Sequence, residues 1–176
     1  MENVEIIKGD ITEMDVDCIV NAANITLLGG GGVDGAIHRK AGPDLLEECK
    51  KLNGCKTGEA KITKGYRLKA KYVIHTVGPI YSDGKRGEDK LLYNAFYNSL
   101  KLAKEYNLKT IAFPAISTGA YGYPKDEAAK IAFKSIFDFI EDYGDVFEKI
   151  YLVLYDNMTF EIFKKIFESY SKRSDL

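Results

Sequence analysis

Leu28-Gly29-Gly30-Gly31-Gly32-Val33-Asp34-Gly35-Ala36-Ile37 sets four consecutive glycines and one acid between two apolar segments. Glycine loses more conformational freedom on ordering than any other residue, so a run of four marks backbone held at positive φ or pressed close to something. The apolar run Cys18-Ile19-Val20-Asn21 precedes it as a strand, and Ala36 to Lys40 follows as a short helix. A glycine loop opening a helix offers unpaired N–H groups and the positive end of the helix dipole, a combination suited to an anion. A flexible linker is the competing reading. Linkers, however, are padded with polar residues, whereas this loop is flanked tightly by apolar ones.

Outward from that loop, the chain alternates strands and helices. Val4 to Lys8 reads as a first strand ended by Gly9-Asp10, and Asp17 to Asn21 as a second with a continuous apolar centre. Pro43 suits the first turn of a helix reaching about Leu52. Glu59 to Thr63 and Tyr72 to Val77 are further strands, the latter stopped by Gly78-Pro79. Ser82 to Glu88 is polar and glycine-bearing, hence a surface loop. From Asp89 to Tyr106, Leu92, Phe96, Leu100 and Ala103 recur at helical spacing. Ile111 to Phe113 is a buried strand. Pro124 opens a helix with Ala128, Ala129, Ala132, Phe133, Ile136 and Phe137 inward. Ile150 to Leu154 is a last strand, Phe160 to Phe167 a last helix, and 171–176 a frayed tail. The pattern predicts one α/β domain over residues 1–176, a sandwich around a mixed, mostly parallel sheet with helices on both faces.

Composition narrows the function. A length of 176 residues, 45% hydrophobic and 29% charged, fits a single soluble core. A formal net charge of −1 gives no support to sequence-independent nucleic-acid binding. The three cysteines, Cys18, Cys49 and Cys55, cannot all pair within one chain. Met1-Glu2-Asn3 leads straight into a strand, so no signal peptide is expected, and no apolar stretch nears the roughly 20 residues of a membrane span. A reducing cytoplasm is the expected setting.

Ligands in open α/β sheets bind beyond the carboxyl ends of the strands. Four unusual segments follow strand ends: Gly9-Asp10-Ile11, Asn21-Ala22-Ala23-Asn24, Ala115 to Pro124, and Tyr155-Asp156-Asn157. Two of these lead into glycine-bearing loops before helices, so a pyrophosphate could be clasped from two sides. Neither loop carries the Lys of a GxxxxGK[ST] motif and neither is GxGxxG, which disfavours mononucleotide hydrolysis and dinucleotide redox chemistry. Ser117 does not sit in GxSxG, and His38 and His75 read as structural. Cys49, Cys55 and a histidine lack the close pairing of a zinc site.

Taken together, Gly9-Asp10-Ile11-Thr12, Asn21 to Asn24, Leu28 to His38, His75-Thr76-Val77-Gly78-Pro79 and Ser117 to Pro124 resemble the macro domain family, and within it the MacroD-type ADP-ribosyl hydrolases. The resemblance implies a three-layer α/β/α sandwich around a mixed, mostly parallel sheet. It implies that Asp10 accepts a hydrogen bond from the adenine amine while the Ile11 N–H meets the ring, and that Tyr155 packs on the adenine face. Gly31, Gly32 and Val33, with Ser117, Thr118, Gly119, Ala120, Tyr121 and Gly122, would surround the two phosphates with backbone N–H groups. Ala22, Ala23 and Asn157 are implied contacts. Asn24 would bond the distal ribose, Tyr121 would lie against it, and Asn24 and Asp34 would carry catalysis.

Four of these residues have a structural alternative. Asp10 could be a solvated turn aspartate, Asn24 could close a turn through its own backbone, Asp34 could be a helix N-cap, and Tyr155 could be a half-buried core residue. The activity implied is hydrolysis of the ester joining ADP-ribose to Asp or Glu side chains, with deacetylation of O-acetyl-ADP-ribose. It needs no metal and no cofactor. The expected partners are ADP-ribose and ADP-ribosylated proteins, met by a monomer with no membrane. A non-catalytic ADP-ribose reader and an ADP-ribose 1″-phosphate phosphatase are the alternatives.

Overall fold

Along β2 (Cys18–Ala22) and β4 (Tyr72–Thr76), successive side chains leave the sheet on opposite faces, as the strand period of two requires. Cys18, Val20 and Ile74 enter one apolar core, whereas Ile19 and Val73 enter the other. The computed structural model describes residues 3–174, with side chains for 3–170. Its other strands are β1 (Val4–Lys8), β3 (Ala60–Lys64), β5 (Thr110–Phe113) and β6 (Lys149–Leu154). They form one sheet of order β1-β6-β5-β2-β4-β3, in which only the β3–β4 pair is antiparallel. The long helical crossovers between β4 and β5 and between β5 and β6 let these strands run parallel, because a parallel strand cannot be reached by a tight turn.

Helices cover both faces. Helices α3 (Glu88–Glu105), α4 (Lys125–Tyr143) and α5 (Asn157–Ser174) pack over one core, which contains Leu92, Phe96, Phe133, Phe139 and Phe163. Helices α1 (Gly32–Ala41) and α2 (Pro43–Lys50) bury Ile37 and Leu45 over the other. The mixed three-layer sandwich expected from the sequence is the fold observed. Cys18, Cys49 and Cys55 are all buried free thiols, and burial pushes the Cys49 thiol up to about 11. Among the described residues no helix is long and apolar enough to cross a membrane. Helix α5 runs through Ser174; of the frayed tail expected over 171–176, the side chains and residues 175 and 176 lie outside the described residues.

Helix starts depart most from the sequence expectation. Helix α1 begins at Gly32, inside the glycine run rather than at Ala36, because its first N–H groups need no intrahelical partner and glycine is tolerated there. Helix α5 begins at Asn157 rather than Phe160. Asp156 caps it, with Oδ1 accepting from Thr159 N at 2.8 Å and Oδ2 from Thr159 Oγ1 at 2.9 Å.

The segment from Ser82 to Gly87 is a surface loop, one residue shorter than expected because Glu88 opens α3, and that buried acid holds it. Glu88, 3% exposed, accepts from the backbone N–H of Ser82 (2.7 Å), Gly84 (3.2 Å) and Arg86 (2.8 Å). These donors, Ser82 foremost, favour the ionised form and hold the carboxyl down at about 2. A carboxyl depressed in the folded state contributes stability that is fully present above its unfolded value of 4.5 and is lost as the pH falls through about 2. Glu88→Gln is therefore expected to melt at lower temperature at pH 7 and to show a shallower loss of stability than the parent between pH 4.5 and 2. Identical melting curves at pH 7 would contradict this assignment.

Candidate functional site

The strand order brings the carboxyl ends of β1, β6, β5, β2 and β4 to one edge, and a cleft of about 780 Å³ opens there. Its walls come from each strand end: Asp10 and Ile11 after β1, Tyr155 and Asp156 after β6, Ala115 and Ile116 after β5, Ala23 and Asn24 after β2, and Gly78 after β4. The size is that of a small-molecule site rather than a hydration pit.

Two backbone loops face each other across this cleft. In the first, Gly31 sits ahead of α1 as an N-cap without a side chain. Among the described residues, no hydrogen bond takes up the N–H groups of Gly30, Gly31, Gly32, Val33 or Asp34; the next, from Gly35, goes to Gly31 O at 3.2 Å. Gly32 has φ 57°, a conformation that glycine adopts without steric penalty. In the second loop, Thr118 N bonds Ala115 O (3.2 Å), Gly122 N bonds Gly119 O (3.0 Å) and Tyr123 N bonds Ser117 O (2.9 Å). The N–H groups of Ser117, Gly119, Ala120 and Tyr121 have no acceptor among the described residues. Ser117 is a non-glycine at φ 68°, and its buried Oγ has no partner. Both sets of free donors line the same cleft, one of them at a helix N-terminus. This is an arrangement for an extended anion.

At one end of the cleft Asp10 is exposed, and its Oδ1 accepts from Thr12 N (2.9 Å) and Thr12 Oγ1 (2.7 Å). It is thus the turn aspartate of the alternative reading and a wall residue at once, with the Ile11 N–H free beside it. Tyr155 is 82% exposed, which rules out the half-buried core reading and leaves its ring open to a flat ligand face.

At the other end stands Asp34. It is not an N-cap: it lies in the first turn of α1, is 5% exposed, and turns inward. Its Oδ1 accepts from Asn21 Nδ2 at 2.9 Å and lies 3.4 Å from His38 Nε2, one helical turn on. Its Oδ2 receives no hydrogen bond among the described residues. A methyl group built on Gly30 would meet it at 3.2 Å and Asn24 Nδ2 at 3.4 Å, so the two side chains converge over that glycine. Burial raises the Asp34 carboxyl above the ordinary carboxylate range, partly offset by the Asn21 hydrogen bond and by His38. Asn24 does close a turn. Its Oδ1 accepts from Thr26 N (3.0 Å) and its Nδ2 donates to Gly29 O (2.9 Å), while the residue also lines the cleft.

Of the sequence-derived site residues, Asp10, Ile11, Ala22, Ala23, Asn24, Gly31, Gly32, Val33, Asp34, Ser117, Thr118, Gly119, Ala120, Tyr121 and Tyr155 line one cleft. Gly122 and Asn157 do not. Gly122 is spent on a turn, and Asn157 faces Lys8, whose Nζ is 3.5 Å away. Arg39 and Thr159 line the cleft without any sequence signal, whereas Gly78 and Asp156 line it from segments singled out in the sequence but not given a role at the site. His38 was read as structural yet touches Asp34, and its i, i+4 spacing from that residue was the available signal. Among the described residues, no cluster of three or more His, Cys, Asp or Glu side chains could hold a metal ion.

Comparison with known proteins gives the same picture. The family model described as "Macro domain" matches residues 20–132. A macro domain-containing protein of Methanosarcina mazei is 59% identical, the match covering 94% of this chain and 88% of that protein. The O-acetyl-ADP-ribose deacetylase of Escherichia fergusonii is 52% identical, covering 93% and 94%. The ADP-ribose glycohydrolase MACROD2 of Mus musculus is 54% identical over 93% of this chain but only 35% of its own length. The macrodomain of Oceanobacillus iheyensis solved with ADP superposes with a TM-score of 0.92 at 42% identity, covering 97% of this chain and 92% of that one. The fold, the glycine loop and these matches agree: the chain belongs to the macro domain family.

Proposed function

We propose that this protein is an ADP-ribose-binding hydrolase that frees Asp and Glu side chains from mono-ADP-ribose and deacetylates O-acetyl-ADP-ribose. The observation that carries the reading is Asp34: a buried carboxylate on a cleft that two loops line with free backbone N–H donors. The two loops would grip the diphosphate, Tyr155 and Asp10 the adenine, and the distal ribose would then come to rest beside Asn24 and Asp34. Tyr121, which lines the same cleft, would press on that ribose.

An ester of a sugar hydroxyl needs only a positioned, activated water. With Oδ1 held by Asn21, the free Oδ2 of Asp34 can accept a proton from that water, and its raised pKa makes it a better base. Hydrolysis returns a free carboxyl group and a free ribose hydroxyl, whichever side of the ester oxygen is cleaved. The relatives' names support the class of reaction, one being a deacetylase and another a glycohydrolase of this ligand. Three buried, unpaired thiols suit the cytoplasm.

The test is release of label from an automodified ADP-ribosyltransferase, run beside substrates modified on Glu, Ser and Arg. Label should be lost from acidic side chains and retained on Arg. Label that stays intact on Glu while ADP-ribose binds tightly would make the protein a reader instead.

A further inference from the structure

Beneath Asp34 lies a buried polar row of which the hydrolytic reading uses only Asn21. Asn21 on β2 is fully buried and stands beside His75 of β4 in register. Asn21 Nδ2 faces Asp34 Oδ1 at 2.9 Å on one side and His75 Nδ1 at 3.1 Å on the other. The far nitrogen of His75, Nε2, lies 2.9 Å from Thr63 Oγ1, and Thr63 Oγ1 is in turn 3.1 Å from Lys64 O. Cys49 Sγ, 3.7 Å from the same nitrogen, is a weak alternative acceptor.

Chemistry assigns every proton in this row. A carboxylate only accepts, so the Asn21 group facing Asp34 must be the amide NH2. An NH2 only donates, so His75 Nδ1 must be bare and the ring proton must sit on Nε2. The Nε2–H then needs an acceptor, and Thr63 Oγ1 is free to be one because its own proton goes to Lys64 O. Burial keeps the ring neutral by holding its pKa down to about 3. One atom is sacrificed: Asn21 Oδ1 is buried with no partner. Turning the amide over would set that oxygen against both the carboxylate and a nitrogen lone pair, so the orphan is the lesser penalty.

Resting on the catalytic reading of Asp34, we propose that Thr63 and His75 are positioning residues: Thr63 fixes the His75 tautomer, the tautomer fixes the Asn21 amide, and the amide holds Asp34 Oδ1 so that Oδ2 faces the cleft. Neither Thr63 nor His75 lines the cleft, so their effect should fall on turnover rather than on ligand affinity.

Thr63→Val keeps shape and removes the acceptor; Thr63→Ser keeps the acceptor. With the mono-ADP-ribosylated transferase as substrate, Thr63→Val should lower kcat about tenfold, the worth of one buried neutral hydrogen bond, while KM and ADP-ribose Kd stay within about twofold. Thr63→Ser should recover the parent kcat. Imidazole 15N spectra read the tautomer without any turnover: the parent should show protonated Nε2, and Thr63→Val a shift toward protonated Nδ1 with a displaced Asn21 side-chain NH2 signal. A parent without hydrolase activity would defeat the function proposed above, yet these spectra would still decide the relay. Parent-like spectra in Thr63→Val, a Kd that weakens in step with kcat, or no recovery in Thr63→Ser would overturn it.

Discussion

Asp34→Ala is expected to abolish hydrolysis nearly completely, by about 10²–10⁴-fold in kcat if the carboxylate is the base that activates water. Affinity for free ADP-ribose should fall by no more than about tenfold, because in the proposed mode the diphosphate would be met by the free backbone N–H groups and not by this side chain. Single-turnover release from a Glu-linked substrate, run beside calorimetry with ADP-ribose, separates the two effects. Asp34→Asn sharpens the test. It keeps an acceptor for Asn21 but has no base, so it should be equally inactive. An acid whose folded pKa is raised destabilises the fold once ionised, above its unfolded value, and the penalty is complete at pH above the folded value. The amide should therefore be at least as stable as the parent at pH 7–8. Parent-like turnover in either variant would remove Asp34 from the mechanism.

Gly35→Ala should damage both loop and fold. A Cβ at Gly35 would lie 2.6 Å from the carbonyl oxygen of Gly30 and 3.1 Å from the Arg39 guanidinium. The first is backbone and cannot rotate aside, so the glycine loop must shift away from α1. Such overpacking typically costs about 1–3 kcal/mol, and ADP-ribose affinity should drop at least tenfold as the free N–H groups lose their common aim. Gly31→Ala is the control for stability: its φ is −90° and nothing lies within 4 Å of the added carbon. Thermal melts of the pair should differ by several degrees, with Gly31→Ala near the parent. If Gly35→Ala melts with the parent and binds as tightly, the close packing of loop against helix does not matter.

The fold was legible because two periodicities were clean. Continuous apolar strands, alternating with helices such as the Leu92–Phe96–Leu100 stripe, leave little choice but a covered, mostly parallel sheet. The two loops proposed to hold the diphosphate were legible through glycine, whose conformational cost must be offset by geometry. What escaped were roles created by neighbours distant in sequence. Asn21 stands out in the sequence only as the start of the Asn21–Asn24 segment at a strand end, and only the register beside His75 and the turn of α1 above it show a donor aimed at Asp34. Glu88 looked like the end of a polar loop, yet it organises that loop from within. Asp156 was noted after β6, but its capping of α5 was missed because Thr159, rather than the commoner Glu or Gln, answers it. Asn24 shows that alternatives need not exclude each other, since it closes a turn and walls the cleft.

The two facing loops also decide how the grip responds to its surroundings. Apart from Arg39 at the wall, the cleft would meet the proposed anion with oriented dipoles and no fixed cation. Small mobile ions therefore have few charges to displace or screen, and the hold on a diphosphate depends on shape more than on ionic strength. A protein of net charge −1 can in this way select one polyanion without attracting every other.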